Sequence, residues 1–315
     1  MYLNLKPNNY EGETELLTLE LLRNKAPDYK RIQLDYKHLL ERYGIYNETI
    51  DLQLSYAEFL AFHYQQKQAA IVFLKKCLEL EASKFTKAKL KLKLADILTT
   101  QEQFNRALVL YTQVHSQIKN STLAQQARFK SAKVSYYKGD FDWAETQLKV
   151  LKSSTSQLIA NDALDLQLLI TDHKYGDSLQ MPLKLYAKAD FLQLQKKPKA
   201  AFKVLDTLTK AHPSHAIIDQ ALMLQAQILE SEADYTGAAQ KYQTILKDFS
   251  TEILADDAYF ALAELQRKAF NAPEKALILY EKIIFEHQDS IHFVDAKKHY
   301  RRLLELSNSS SKNNL

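Results

Sequence analysis

Alanine residues recur along much of the chain every 37 or 38 residues, within stretches whose apolar residues follow helical spacing. In the clearest copies an aromatic residue lies three positions before the alanine, as Phe104 does before Ala107 and Phe141 before Ala144. Bulky residues follow five of the alanines by four and seven positions, on the same helical face. The six anchor alanines are Ala69, Ala107, Ala144, Ala201, Ala238 and Ala276. The pattern predicts six helices that each press an alanine-centred face against a neighbouring helix.

A second small residue precedes each anchor alanine, 12 residues upstream in five copies and 13 upstream in the last, at Ala263. The other five are Ala57, Ala95, Ala132, Ala189 and Ala226. Small residues on both helices of a pair let the two backbones approach closely. The interval from Ala144 to Ala201 is 57 residues, and its excess of about 20 residues predicts one extra helix near 158–173. We expect the helical array to break or change direction there.

Composition supports an all-α fold, because the chain contains only 5 Gly and 6 Pro and so lacks the turn residues of a β-rich protein. One stretch, residues 89–94, alternates Lys and Leu with the period of a strand. We interpret it as helix, because it lies where the repeat requires a first helix, and a helix inside a solenoid is buried on more than one side.

The repeat resembles the tetratricopeptide repeat over roughly residues 50–290, including the proline after a second helix at Pro213. This resemblance implies an α-α superhelix, a tetratricopeptide-like solenoid. Residues 136–144 and 253–258 also resemble tetratricopeptide proteins of the bacterial cell envelope in Bacteroidetes-like organisms, which are similar to outer-membrane assembly lipoproteins. The resemblance implies a periplasmic or envelope-associated scaffold, whereas a chain that is complete without a leader peptide would be cytoplasmic.

The predicted organisation has six segments. They are N-terminal capping helices at 1–48, three repeat units at 49–157, the extra helix and its loop at 158–178, three repeat units at 179–290, a capping helix at 291–306 and a disordered tail at 307–315.

Charge and cysteine content narrow the functional classes. The net charge of +4 provides no strong field for nucleic acid, and no apolar run is long enough to span a bilayer. We interpret the single cysteine, Cys77, as a buried inert thiol. Lys84, Lys87 and Lys91 form a row at helical spacing, which is typical of a solvated face, although such a row could also meet an acidic partner or lipid head groups.

No pattern typical of catalysis occurs, neither a Gly-rich phosphate loop nor a nucleophile elbow. Two Asp and His pairs, Asp35 with His38 and Asp289 with His292, have the spacing of metal ligands on a helix. Because the pairs lie near opposite ends of the predicted array, we interpret them as surface residues. The sequence therefore predicts neither an enzyme nor a cofactor or metal site.

Binding of a protein or peptide partner is the predicted function. The tetratricopeptide resemblance implies a concave groove lined by the first helix of each pair. The corresponding positions are Leu92, Asp96, Phe129, Lys133, Tyr136, Tyr186, Asp190, Met223, Gln227, Phe260, Glu264 and Arg267. These positions do not match the Lys- and Asn-rich clamp with which some relatives hold a C-terminal carboxylate. Two alternatives stay open: a substrate-holding or regulatory segment of a larger enzyme or envelope assembly machine, and nucleic-acid binding.

Overall fold

The computed structural model describes residues 10–152, 154, 156–175 and 178–312, with side chains described as far as residue 306. This part of the chain contains sixteen α-helices, one π-helical segment and no strand. The predicted all-α fold class is therefore confirmed.

The chain divides into two compact units, with the boundary between Thr171 and Asp172. The helices of unit 1 are α1 Tyr10–Arg23, α2 Tyr29–Tyr43, α3 Ile50–Glu58 with the π-helical segment Phe59–His63, α4 Lys67–Glu79, α5 Lys84–Thr100, α6 Phe104–Gln117, α7 Thr122–Lys138 and α8 Phe141–Leu151. The helix α9, Gln157–His173, contains the boundary and confirms the predicted extra helix. The helices of unit 2 are α10 Met181–Leu194, α11 Pro198–Ala211, α12 Ile218–Ser231, α13 Tyr235–Asp248, α14 Ala255–Lys268, α15 Pro273–Glu286 and α16 Phe293–Lys312.

Within each unit, helices that are consecutive in the chain pack against each other, as expected for stacked helix pairs. Five of the six predicted anchor alanines are fully buried, and so are all six small residues upstream. The bulky residues four and seven positions after those five anchors are also buried. Close approach at alanine, with larger side chains filling the space beside it, is thus the packing rule of the fold.

The first anchor was assigned one residue too early. Ala69 is exposed, whereas Ala70 is fully buried and is followed at the expected distances by the buried Leu74 and Cys77. The π-helical segment Phe59–His63 lies between Ala57 and this anchor and contains one more residue per turn than an α-helix, so the register shifts by one.

A left-handed residue lies five positions before each anchor alanine once Ala70 is used. These residues are Gln65, Glu102, Gly139, Lys196, Ala233 and Asn271. In four of the turns the residue after the left-handed one donates its backbone N–H to the carbonyl five residues back, as Gln103 does to Leu98, which is the Schellman arrangement. In the other two turns the paired alanines are 13 residues apart. There the backbone N–H groups of Gln66 and Ala272 donate to the carbonyl six residues back. One additional residue before the left-handed position therefore accounts for the longer spacing, and before Ala70 it lies in the π-helical segment.

The alternating segment 89–94 is helical, as predicted, and lies within α5. Leu90, Leu92 and Leu94 are all buried, although they point in different directions around the helix. They can all be buried because α5 packs against α3, α4, α6 and α7.

The ends of the chain carry helices beyond the six pairs. At the N-terminal end, the Asp28 side chain caps α2 by accepting from the backbone N–H groups of Lys30 and Arg31. At the other end α16 continues to Lys312, past the predicted start of a disordered tail at 307, because extending a formed helix avoids the cost of nucleation. The rest of the predicted tail, 313–315, and the start of the predicted N-terminal segment, 1–9, lie outside the described residues.

Candidate functional site

A surface depression of about 390 Å³ lies in unit 2 and is lined mainly by its first helices α10, α12 and α14. Four predicted groove residues line it together: Tyr186, Met223, Gln227 and Phe260. We call this feature the unit 2 groove. The structure thus brings one third of the predicted site residues into a single concave surface.

The apolar part of the unit 2 groove comes from one repeated position. Tyr186, Met223 and Phe260 each lie three residues before the small alanine of their helix, so each projects from the same helical face. Tyr186 and Phe260 are partly exposed, whereas Met223 is buried and forms part of the floor. The three helices therefore present a row of large apolar side chains to one surface.

The polar rim includes a histidine held in a fixed orientation. The Nε2 atom of His292 lies 2.7 Å from Oδ1 of Asp257. The imidazole ring stacks on Phe260 with ring centroids 4.3 Å apart and an interplanar angle of 6°. The hydrogen bond and the stacking together fix the ring at the edge of the groove.

Tyr186 contributes a phenol that stays protonated. Burial raises the pKa of Tyr186, and the nearby carboxylates of Asp190 and Asp219 raise it further. Burial also raises the pKa of Asp219, whose Oδ1 accepts the backbone N–H of Gln220. The groove consequently offers a hydroxyl that can donate or accept a hydrogen bond beside its apolar row.

Other predicted residues of unit 2 have structural partners. Glu264 accepts a hydrogen bond from the Tyr280 hydroxyl and forms ion pairs with Arg267 and Lys268. Burial favours the neutral acid, but the hydrogen bonds from Arg267, Lys268 and Tyr280 outweigh it and lower the pKa of Glu264 to about 2. The ring of Tyr280 also stacks on His299 of α16. Glu264 and Arg267 thus join three helices and do not line the unit 2 groove.

The predicted residues of unit 1 are distributed differently. Tyr136 is fully buried and its ring packs against Tyr137 and Phe141, so it belongs to the core and cannot reach a ligand from this position. Leu92 is buried as well. For Tyr136 the expectation of groove exposure is wrong, because α5, α6 and α8 cover α7, whereas Leu92 is no more buried than Met223 and its place in a groove stays a prediction.

The remaining predicted residues of unit 1 are partly exposed. Asp96 accepts a hydrogen bond from Tyr111 at 2.7 Å and pairs with Lys130 of α7, also at 2.7 Å. Lys133 lies over the ring of Tyr137, 5.8 Å from its centroid. Phe129 is half-buried. Asp96 therefore connects helices, as Glu264 does in unit 2.

The sequence reasoning missed seven residues that line the unit 2 groove. They are Gln220, Leu224, Tyr242, Leu254, Asp257, Ala261 and His292. Gln220, Leu224 and Asp257 lie one helical turn from residues that were predicted, so a wider helical face would have included them. His292 was considered only with Asp289 as a metal pair, whereas its partner is Asp257, 35 residues away.

No group of three potential metal ligands occurs among the described residues. Asp35, the carboxylate of the other candidate metal pair, forms an ion pair with Arg31 at 2.9 Å. None of the described helices combines the length and the apolar character that a bilayer crossing requires.

The recurring helix pairs with buried alanines confirm the resemblance to tetratricopeptide repeat proteins. No protein-family model and no curated protein matches the chain. Among solved structures, a tetratricopeptide repeat protein from Parabacteroides merdae is 12% identical, with alignment over 94% of this chain and 98% of that one and a TM-score of 0.39. Pseudomonas aeruginosa pilF is 13% identical over 82% of this chain and 97% of its own, with a TM-score of 0.34. A signal transduction ATPase with a tetratricopeptide repeat sensor from Pyrococcus horikoshii is 17% identical over 95% of this chain and 45% of its own, with a TM-score of 0.35.

Proposed function

We propose that this chain is a protein-interaction scaffold that binds a peptide segment of a partner protein in the unit 2 groove. The observation that carries the proposal is the row formed by Tyr186, Met223 and Phe260, three large apolar side chains that line one depression at equivalent positions of successive repeats. Partner side chains gain most binding free energy where aromatic and apolar anchors meet in a depression with a polar rim.

The composition of the groove favours a peptide with apolar anchors and neutral polar groups between them. Tyr186, Met223 and Phe260 provide the apolar surface, while Gln220 and Gln227 can each donate and accept hydrogen bonds. Asp257 and His292 form a hydrogen bond with each other. The apolar row is therefore the principal binding surface.

The proposal is tested by placing a charged side chain in the groove without disturbing the core. Gln227 is exposed, so we expect Gln227→Arg to retain the helical content and thermal stability of the parent protein while blocking the depression. The matched control is Gln243→Arg on α13, which alters an exposed glutamine of the same unit that is not part of the groove lining.

The binding assay uses peptides selected from a displayed random library on the parent protein. We expect Gln227→Arg to weaken the selected peptides by about tenfold or more, the effect of losing a central contact of about 1.4 kcal/mol, and Gln243→Arg to leave them unchanged. Photo-crosslinking from position 227 in the native cell would then capture the partner, and fractionation of the same cells tests the envelope location. Equal affinity of both variants for the peptides would refute the groove assignment.

A further inference from the structure

A second depression, of about 650 Å³, lies in unit 1 between the C-terminal ends of α6 and α8 and the first turns of α7. It is separate from the surface to which we assign partner binding. Its volume is within the range of about 300–1,000 Å³ that is usual for small-molecule sites.

The depression is lined by three basic side chains, His115, Lys119 and Arg128, and by no carboxylate among the described residues. Neither Lys119 nor Arg128 forms an ion pair with a described residue, whereas Lys130, two residues beyond Arg128 on α7, is paired with Asp96. Two permanent cations thus face one concavity without an internal counter-charge, an arrangement that favours an anionic ligand.

The helix ends at the depression contribute partial charges of both signs, because α7 presents its N-terminal end there and α6 and α8 present their C-terminal ends. The helix α7 begins at Thr122, and Ala124 and Gln125 of its first turns line the depression. The N–H groups of Ala124 and Gln125 are already bonded to the Ser121 side chain and carbonyl, so the attraction for an anion comes from the side chains of Lys119 and Arg128. Polar side chains complete the lining, among them Asn120 and Ser116.

We propose that this depression, the unit 1 anion site, binds a small molecule that carries a phosphate monoester. A guanidinium group can contact two phosphate oxygens at once, and Lys119 supplies a second cation. Two full positive charges match the charge of about −1.5 to −2 that a phosphate monoester carries at neutral pH better than the single charge of a carboxylate.

His115 provides a spectroscopic reporter. Burial and the positive charge of Arg128 lower the pKa of His115, which keeps the imidazole neutral at pH 7. A bound dianion would stabilise the imidazolium, so we expect the pKa of His115 to rise when the site is occupied. This shift can be followed by NMR in the unmodified chain.

The test measures binding of O-phosphoserine and inorganic phosphate to the full chain by calorimetry at constant ionic strength. We expect saturable binding at millimolar concentrations or below, and a loss of about tenfold or more in Arg128→Gln and in Lys119→Gln, because each removes a charged contact. The control Arg106→Gln removes an exposed arginine of the same unit that does not line the depression, and should bind as the parent does.

Several outcomes would overturn the proposal. These are an absence of saturable binding together with an unchanged pKa of His115, succinate binding as tight as that of phosphate, and an equal loss in Arg106→Gln. A phosphoserine peptide that binds more than about tenfold more tightly than O-phosphoserine would replace the small-molecule ligand with a phosphorylated protein segment. If Arg128→Gln fails to fold, Lys119→Gln and the His115 shift still decide the result.

Discussion

Asp96 in unit 1 and Gln227 in unit 2 occupy the same repeat position, one residue after the small alanine of a first helix. Asp96 accepts a hydrogen bond from Tyr111, the residue four positions after its anchor alanine. In the repeat of Gln227 the equivalent tyrosine, Tyr242, donates to Glu230 instead, three residues further along α12. Because Tyr242 donates to Glu230 and not to the side chain at position 227, Gln227 is exposed in the unit 2 groove. A repeat position can therefore join helices or stay exposed in a groove, depending on where the carboxylate lies.

Glu264 gives the strongest test of this comparison, since it has the same position and the same kind of tyrosine partner as Asp96. Its pKa is lowered from 4.5 to about 2, so its contribution to stability is complete above about pH 4.5 and is lost as the pH falls toward 2. We expect Glu264→Gln to lower the free energy of unfolding at pH 7 by about 2–3 kcal/mol, and to flatten its decline between pH 5 and pH 3.

Urea unfolding at pH 7, 5 and 3 provides the measurement. The control is Glu281→Gln, an exposed glutamate on α15. Parallel pH profiles for the parent and Glu264→Gln would show that the ion pairs around Glu264 do not stabilise the fold.

The direct comparison of Asp96 with Gln227 should give the next largest effect. We expect Asp96→Ala to cost about 1–2 kcal/mol, because it leaves the buried Tyr111 and the half-exposed Lys130 without their acceptor. Gln227→Ala should change the unfolding free energy by less than about 0.5 kcal/mol, as expected for an exposed residue outside such a network. Thermal unfolding of the two variants side by side tests the difference, and similar losses for both would remove the distinction between the two positions.

The turns of the two units allow a smaller test. Gly139 and Ala233 are both left-handed and both lie five residues before an anchor alanine. We expect Gly139→Ala to destabilise by about 1 kcal/mol, and Ala233→Gly to stabilise by about 0.5 kcal/mol after the entropy of the unfolded chain is counted. Chemical denaturation of both variants measures the change in the free energy of unfolding. If both changes had the same sign, the left-handed backbone would not be what determines the stability of these turns.

The helix pairs could be predicted from the sequence because buried alanines and the bulky residues after them recur with a fixed period. Ala70 could not be identified, because the π-helical segment before it changes the local register without changing the composition. In the candidate site, the position three residues before the small alanine was predictable in unit 2, since helical geometry alone places it. The burial of Tyr136 and the pairing of Asp257 with His292 depend on contacts with other helices, and a helical period contains no information about them.

The turn between the helices of a pair has a wider consequence for how such a chain can change. Two of the six helix pairs contain one more residue between their alanines than the other four, yet the alanines on both sides remain fully buried. The fold therefore accommodates a single-residue insertion between the last turn of the first helix and the left-handed residue, and the helix that follows keeps its buried face. Duplicated copies of a helix pair can therefore differ in length by one residue at this site and still stack on their neighbours.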